Sequence, residues 1–182
     1  MKSDSLLRFL CILLPALPAY SLDVREFGAS GNGVTKDTKA IQAAIDAASA
    51  KGGGVVSLPP GKYLVGTLTL KSFVTLDLHS GATLVASPDD KDFAAFEQLP
   101  FKPVDDQETT YFRRALLTGE GLRQVAVTGM GVIEWNRKAR GGPKTIALKK
   151  CDTVAIRGIT IRNAPNYAKP CAKWTKAVKL RS

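Results

Sequence analysis

Thr145 to Asn166 reads T-I-A-L-K-K-C-D-T-V-A-I-R-G-I-T-I-R-N-A-P-N, and this stretch decides the fold. Three short apolar runs, Ile146-Ala147-Leu148, Val154-Ala155-Ile156 and Ile159-Thr160-Ile161, are separated by polar turn residues. Alternation with period 2 over such short runs makes them strands. The same grammar occurs twice upstream. Val74-Thr75-Leu76 leads to Leu84-Val85, and Val125-Ala126-Val127 leads to Val132-Ile133, as Val154-Ala155-Ile156 leads to Ile159-Thr160-Ile161. Polar corners precede the triples: Lys71-Ser72-Phe73, Leu122-Arg123-Gln124 and Cys151-Asp152-Thr153. The last two triples lie 29 positions apart; the first two lie 51 apart, an interval holding a polar and charged insertion. A repeat of roughly two to three dozen residues built from short strands and Gly or Asn corners is the signature of a solenoid. The spacing predicts an all-β chain folded as a right-handed parallel β-helix.

Composition fits one domain with one core, since 45% of the 182 residues are hydrophobic and 23% are charged. The amino end reads differently. Lys2 and Arg8 precede the apolar run Phe9 to Leu14, followed by Pro15, Pro18 and Ala19-Tyr20-Ser21. That run is far shorter than the roughly 20 residues of a membrane span, so residues 1–21 are expected to be a removable signal peptide. The mature chain is then secreted or periplasmic, with no membrane segment after signal removal. Cys151 and Cys171 either pair in an oxidising compartment or leave Cys151 packed beside a strand as a small apolar residue. No Cys-x-x-Cys or His cluster is present, so no metal and no cofactor are expected. The net charge is +10, of which Met1–Ser21 carries +1 and Ala168–Ser182 carries +5, leaving +4 on the body. A basic tail without a recognised module does not predict nucleic-acid binding.

Ahead of the repeat, Val24 and Phe27 suggest a short first strand, and Gly28, Gly31 and Gly33 form a loop needing positive φ. Gly28 and Gly33 have the spacing of a phosphate-cradling loop, but Val34 stands where its Lys is required, which excludes a nucleotide site. Asp37 is placed to cap a helix from about Thr38 to Lys51 with its carboxylate. Ile41, Ala44, Ile45 and Ala48 share one face of that helix, Gly52-Gly53-Gly54 ends it, and its expected role is to cover the open end of the solenoid. Strands follow at Val55-Leu58, Tyr63-Val65, Thr67-Leu70, Val74-Leu78 and Ala82-Ala86. His79, the single histidine, reads as a solvated turn residue. The acid pairs Asp89-Asp90 and Asp105-Asp106, in the insertion Pro88–Arg114, read as solvated turns that nothing rigid holds. The basic loop Asn136 to Pro143 reads the same way.

The run F-G-A-S-G-N-G-V-T-K-D-T-K-A-I-Q-A-A-I-D at Phe27–Asp46 resembles the amino-terminal segment of polygalacturonase-like proteins, glycoside hydrolase family 28. So do G-G-G-V-V-S-L-P-P-G-K-Y at Gly52–Tyr63 and Leu70–Ala86 with its G-A-T-L. V-A-I-R-G-I-T-I-R-N-A-P at Val154–Pro165 is similar to a later coil of the same family. The front motifs also occur across the wider pectate-lyase-like superfamily, including epimerase-like and tailspike proteins. The resemblance implies a right-handed parallel β-helix and inverting hydrolysis of a pectin-type, acidic polysaccharide by a pair of carboxyl groups. The family's Asn-Thr-Asp, Asp-Asp, Gly-His-Gly and Arg-x-Lys motifs have no match here, so no catalytic residue is assigned and the substrate-binding residues are unknown. After Tyr167 the chain reads A-K-P-C-A-K-W-T-K-A-V-K-L-R-S, without strand grammar, acid or Gly. Residues 22–167 are therefore expected to be a partial β-helix domain, residues 168–182 a divergent basic tail foreign to the fold, and the chain an inactive amino-terminal fragment. The alternative is a non-catalytic carbohydrate-binding or scaffold β-helix, or a lyase, epimerase or tailspike relative.

Overall fold

The computed structural model describes residues 20–98, 111, 113–135 and 142–165. Among these residues thirteen strands stack in three parallel sheets beside one α-helix, α1 (Thr38–Ala50). The first sheet holds β1 (Ser21–Asp23), β3 (Gly54–Leu58), β6 (Val74–Leu78), β9 (Arg123–Gly129) and β12 (Asp152–Ile156). The second holds β2 (Asn32–Lys36), β4 (Gly61–Val65), β7 (Ala82–Ala86), β10 (Val132–Trp135) and β13 (Thr160–Arg162). The third holds β5 (Leu68–Thr69), β8 (Ala115–Glu120) and β11 (Lys144–Lys149). From β3 onward each coil visits the sheets in that order, which is a parallel β-helix; the first turn runs through β1 and β2 and then α1 in place of a third-sheet strand. Residues 1–19 of the expected signal peptide, Asp105-Asp106, residues 136–141 of the basic loop, Cys171 and the basic tail lie outside the described residues.

The repeat read from the sequence is the register of the first sheet. Val125, Ala126 and Val127 pair with Val154, Ala155 and Ile156, while Ala126 and Val127 pair on the other side with Thr75 and Leu76. Inward residues therefore stack in columns: Leu22, Val56, Leu76, Val127 and Ile156 in the first sheet, and Tyr63, Leu84, Ile133 and Ile161 in the second. Val56, Leu76, Tyr63, Leu84 and Ile133 are wholly buried. Val154, Ile159 and Ile161 in the last coil are also buried.

Corner lengths are unequal. From β3 onward the connections from first to second sheet (59–60, 79–81, 130–131, 157–159) and from third to first (70–73, 121–122, 150–151) are all short, and the two long ones, 87–114 and 136–143, join the second sheet to the third. Before β3, 24–31 joins β1 to β2, and 37–53, which contains α1, joins β2 to β3. The first corner is closed by backbone stacked on backbone: a Cβ on Gly129 would lie 2.0 Å from the Leu78 carbonyl oxygen, and one on Gly158 would lie 2.2 Å from that of Gly129.

The helix is placed as its pattern predicts. Ile41, Ala44, Ile45 and Ala48 are all fully buried, and Gly52 takes positive φ just past its end. Two expectations are corrected. Val24–Phe27 is a 3-10 turn and β1 precedes it, because the Asp23 carboxylate accepts the Arg25 N–H and Gly28 turns the chain at φ 90°. The boundary expected at Leu22 thus falls inside β1. Asp37 sits at the head of α1 but does not cap it through its side chain. Its carboxylate, 1% exposed, turns back to accept the N–H groups of Ser30 (2.7 Å) and Gly31 (3.0 Å). Gly31 in turn lies against the Tyr63 ring, where a Cβ would come within 3.0 Å. Burial raises the Tyr63 phenol above its ordinary value, and its hydroxyl donates to the Pro59 carbonyl at 2.8 Å.

Gly129→Ala should destabilise the chain by about 3 kcal/mol or more, since a positive φ and a backbone collision coincide there. Asp37→Ala should cost about 2–4 kcal/mol, because it leaves the Ser30 and Gly31 donors without their acceptor. Denaturant midpoints at unchanged m-value check both.

Candidate binding groove

Alternation along the second sheet sends one set of side chains into the core and the other outward. Tyr63, Val65, Leu84, Ala86, Ile133 and Trp135 face in and are buried. The outward residues form two cross-strand rows: Asn32, Lys62, Thr83, Val132 and Thr160 in one, and Lys36, Leu64, Val85, Glu134 and Arg162 in the other. A groove of about 330 Å³ runs over this face, lined by Gly33, Lys62, Val85, Glu134, Trp135 and Asn163. Strand pairing alone brings Gly33 and Asn163, 130 positions apart in sequence, to its opposite ends. Lys62, Arg162 and Asn163 are exposed, Glu134 is half-buried, and Asn163 holds its place with φ at 54°.

The edge of this face is fixed by the start of the insertion. Lys36 Nζ lies 2.7 Å from Asp92 Oδ1 and 4.0 Å from Asp89 Oδ2. Ser87 Oγ hydrogen-bonds Asp92 Oδ2. Asp90 Oδ1 meets Arg114 NH2 at 3.0 Å. The Phe93 ring stacks on Trp135 with centroids 5.6 Å apart, and Trp135 Nε1 donates to Thr145 Oγ1 at 2.9 Å. The Ala94 N–H donates to Thr67 Oγ1, which itself donates to the Ala115 carbonyl. Partial burial works to raise the Asp92 carboxyl, but hydrogen bonds from Lys36 and Ser87 and the Lys36 charge outweigh it and leave that carboxyl below its ordinary value. The Lys36 ammonium is raised, chiefly by its hydrogen bond to Asp92.

The expectation that nothing holds Asp89-Asp90 is therefore corrected: Asp89 accepts the Lys91 N–H and both acids face cations. They anchor a loop and do not converge on a shared point. His79 is an exposed corner residue as expected, its Nε2 3.2 Å from Asp77 Oδ2, with Thr128 Oγ1 donating to the other Asp77 oxygen at 2.8 Å. Cys151 has no disulfide partner among the described residues and packs against the core, its Sγ 3.3 Å from the Lys149 carbonyl oxygen. Gly28, Gly31 and Gly33 all have positive φ. Among the described residues no three His, Cys, Asp or Glu side chains gather at one point, and no helix is long and apolar enough to cross a membrane. Lys62, Glu134 and Arg162 were not singled out from sequence. Each is a polar residue at the outward position of an alternating strand, which only the register assembles into one face.

Relatives bear this architecture out. Residues 21–85 match the family described as rhamnogalacturonase A/epimerase, pectate lyase-like. Over 164 residues the chain is 31% identical to a Vitis vinifera protein named probable polygalacturonase, a match covering 82% of this chain and 33% of that protein. It is 41% identical over 112 residues to a mannuronan C5-epimerase of Azotobacter vinelandii, covering 56% of this chain and 11% of the epimerase. The solved family 28 exopolygalacturonase of Yersinia enterocolitica aligns with a TM-score of 0.63 at 25% identity, over 80% of this chain and 35% of that one. The chain thus spans about a third or less of the length of these curated relatives.

The insertion anchor should respond to acid. With its carboxyl below the ordinary value, Asp92 contributes stability that is present above the unfolded carboxyl's pKa of 3.8 and lost as pH falls through the lower folded value. Hydrogen exchange of the Ala94 amide should therefore accelerate below about pH 4 beyond the intrinsic rate, and Asp92→Asn should show the fast rate already at neutral pH.

In sequence the chain is similar to a polygalacturonase and in fold to a family 28 exopolygalacturonase, and its own architecture is a parallel β-helix.

Proposed function

We propose that this chain is the front part of a secreted glycoside hydrolase of polygalacturonase type, which cleaves a pectin-type polysaccharide with inversion, and that the described coils are its scaffold without its catalytic pair. The observation that supports this best is the reach of the Vitis match. At 164 residues it extends well past Val85, where the pectate-lyase-like family match ends, and so includes the later coils. Inverting hydrolysis uses two carboxyl groups roughly 6.5–9.5 Å apart, one protonating the leaving oxygen and one activating water. The groove on the second sheet is lined by one carboxylate, Glu134, which suits a surface that holds a chain better than one that cleaves it. Residues 1–21 serve as the export signal in this reading, and residues 168–182 lie outside the native repeat.

A second reading, an epimerase-type relative, draws on the higher identity, 41%, to the Azotobacter enzyme; its weakness is the shorter match of 112 residues. Product analysis separates the two. The chain incubated with polygalacturonate should release no new reducing ends, and translation of the DNA beyond the Tyr167 codon should yield, in one of the three frames, further coils carrying an Asn-Thr-Asp motif. Absence of such coils in every frame overturns the proposal. Unsaturated ends or a changed uronate epimer content in the polymer would put the lyase or epimerase reading in its place.

A further inference from the structure

We infer that the groove on the second sheet is a docking track for a single strand of acidic polysaccharide, lying along the solenoid axis and taking no part in bond cleavage. The inference rests on the polysaccharide-acting function proposed above and adds a site to it.

The first support is unused bonding capacity. Lys36, Asp92, Asp90 and Arg114, beside the groove, are committed to one another across the insertion anchor. The side chains of Lys62, Glu134 and Asn163, which line the groove, and of Arg162, which stands beside it as the register partner of Glu134, make no hydrogen bond or ion pair among the described residues. Glu134 and Arg162 are register partners on adjacent strands. Opposite charges so placed ordinarily pair, yet this pair stays open, leaving a carboxylate and a guanidinium available at the same level of the face.

The second support is shape. The groove reaches across the sheet from Gly33 in β2 to Asn163 just after β13, with lining residues on β4, β7 and β10 between them. At about 4.8 Å per strand spacing, that is about 19 Å along the axis, the length of a few sugar rings. Its middle is floored by Val85, with Leu64 and Val132 beside it in the outward rows. An apolar strip suits the C–H face of a sugar ring, and the flanking polar groups suit its edges.

The third support is charge order. Lys62 stands toward one end and Arg162 toward the other, with Glu134 next to Arg162. Two cations against one carboxylate favour a chain carrying its own carboxylates at intervals. The Arg162 guanidinium forks onto a carboxylate, the Lys62 ammonium meets another as a point charge, and Glu134 and Asn163 take hydroxyls as acceptor and donor. A neutral glycan would leave both cations unmatched.

The test titrates the full chain with a galacturonate hexamer at low salt, with maltohexaose and a short polyglutamate as comparisons, read by calorimetry. The hexamer should bind and maltohexaose should bind much more weakly. Lys62→Gln and Arg162→Gln should each weaken hexamer binding by about tenfold, while Glu134→Gln should not weaken it. Lys62 and Arg162 are exposed, so unchanged melting temperatures exclude misfolding as the cause. No binding of the hexamer, equal binding of polyglutamate, or full binding by the Lys62→Gln, Arg162→Gln double variant each overturns the track. Loss of the track leaves the hydrolase reading standing, because that reading is judged by products and by the coding sequence.

Discussion

Each coil has to set its inward residues directly over those of its neighbour, and one corner geometry enforces this. The residue just before the first inward position of the first sheet takes positive φ in four successive coils: Gly53 at 126°, Phe73 at 64°, Gln124 at 49° and Thr153 at 57°. For a residue with a side chain the left-handed conformation costs roughly 1–2 kcal/mol, so three of the four corners carry a local penalty. The penalty persists because the corner aims Val74, Val125 and Val154 inward. It also aligns backbone groups for pairing between coils, as in Gly54 N–H to Phe73 O (3.0 Å) and Phe73 N–H to Arg123 O (2.9 Å). Buried apolar columns offset the penalty, since fully burying one such side chain contributes about 1.5–3 kcal/mol.

The same constraint explains how the amino end is finished. A stack of coils ends in an open apolar face, and α1 covers it with four buried residues. The helix has to be tied to the coil it covers, and Asp37 supplies the tie. Its buried carboxylate holds the loop at Ser30 and Gly31, its backbone N–H donates to the Leu64 carbonyl at 2.8 Å, and Gly31 packs on Tyr63 in β4. Helix, loop and second sheet are therefore one unit. The conformational demand on Gly31, a positive φ beneath an aromatic ring, leaves no room for a side chain.

Most of the scaffold was legible in the sequence because its signals are local. The triples opening at Val74, Val125 and Val154 marked the first sheet, the spacing of Ile41, Ala44, Ile45 and Ala48 marked the buried helix face, and the glycines at 28, 31 and 33 announced positive φ. The misread points are those where a side chain had a distant choice. Asp37 looked like a cap because caps are local, whereas its partners six and seven residues back depend on how the loop folds over β4. Asp89 and Asp90 looked unheld because their cations, Lys36 and Arg114, are far away in sequence. The groove was invisible for the same reason: Lys62, Glu134 and Arg162 share a face only once the register of three separate strands is set.

Where a parallel β-helix tolerates variation follows from its corners. Between first and second sheet, Gly129 and Gly158 stack backbone against backbone and leave no space for added residues. Between third and first, the positive-φ residue fixes the phase of the next coil, so an insertion there would turn inward residues outward. The remaining corner carries neither constraint, and from β3 onward both long connections occur there. Lengthening a loop raises its closure entropy only logarithmically, so this corner can grow at little cost once its root is anchored. The Lys36–Asp92 pair and the Phe93–Trp135 stack provide that root for residues 87–114. From β3 onward the scaffold thus confines its long connections to one edge, beside the outer face of the second sheet, where the uncommitted side chains of the groove also lie.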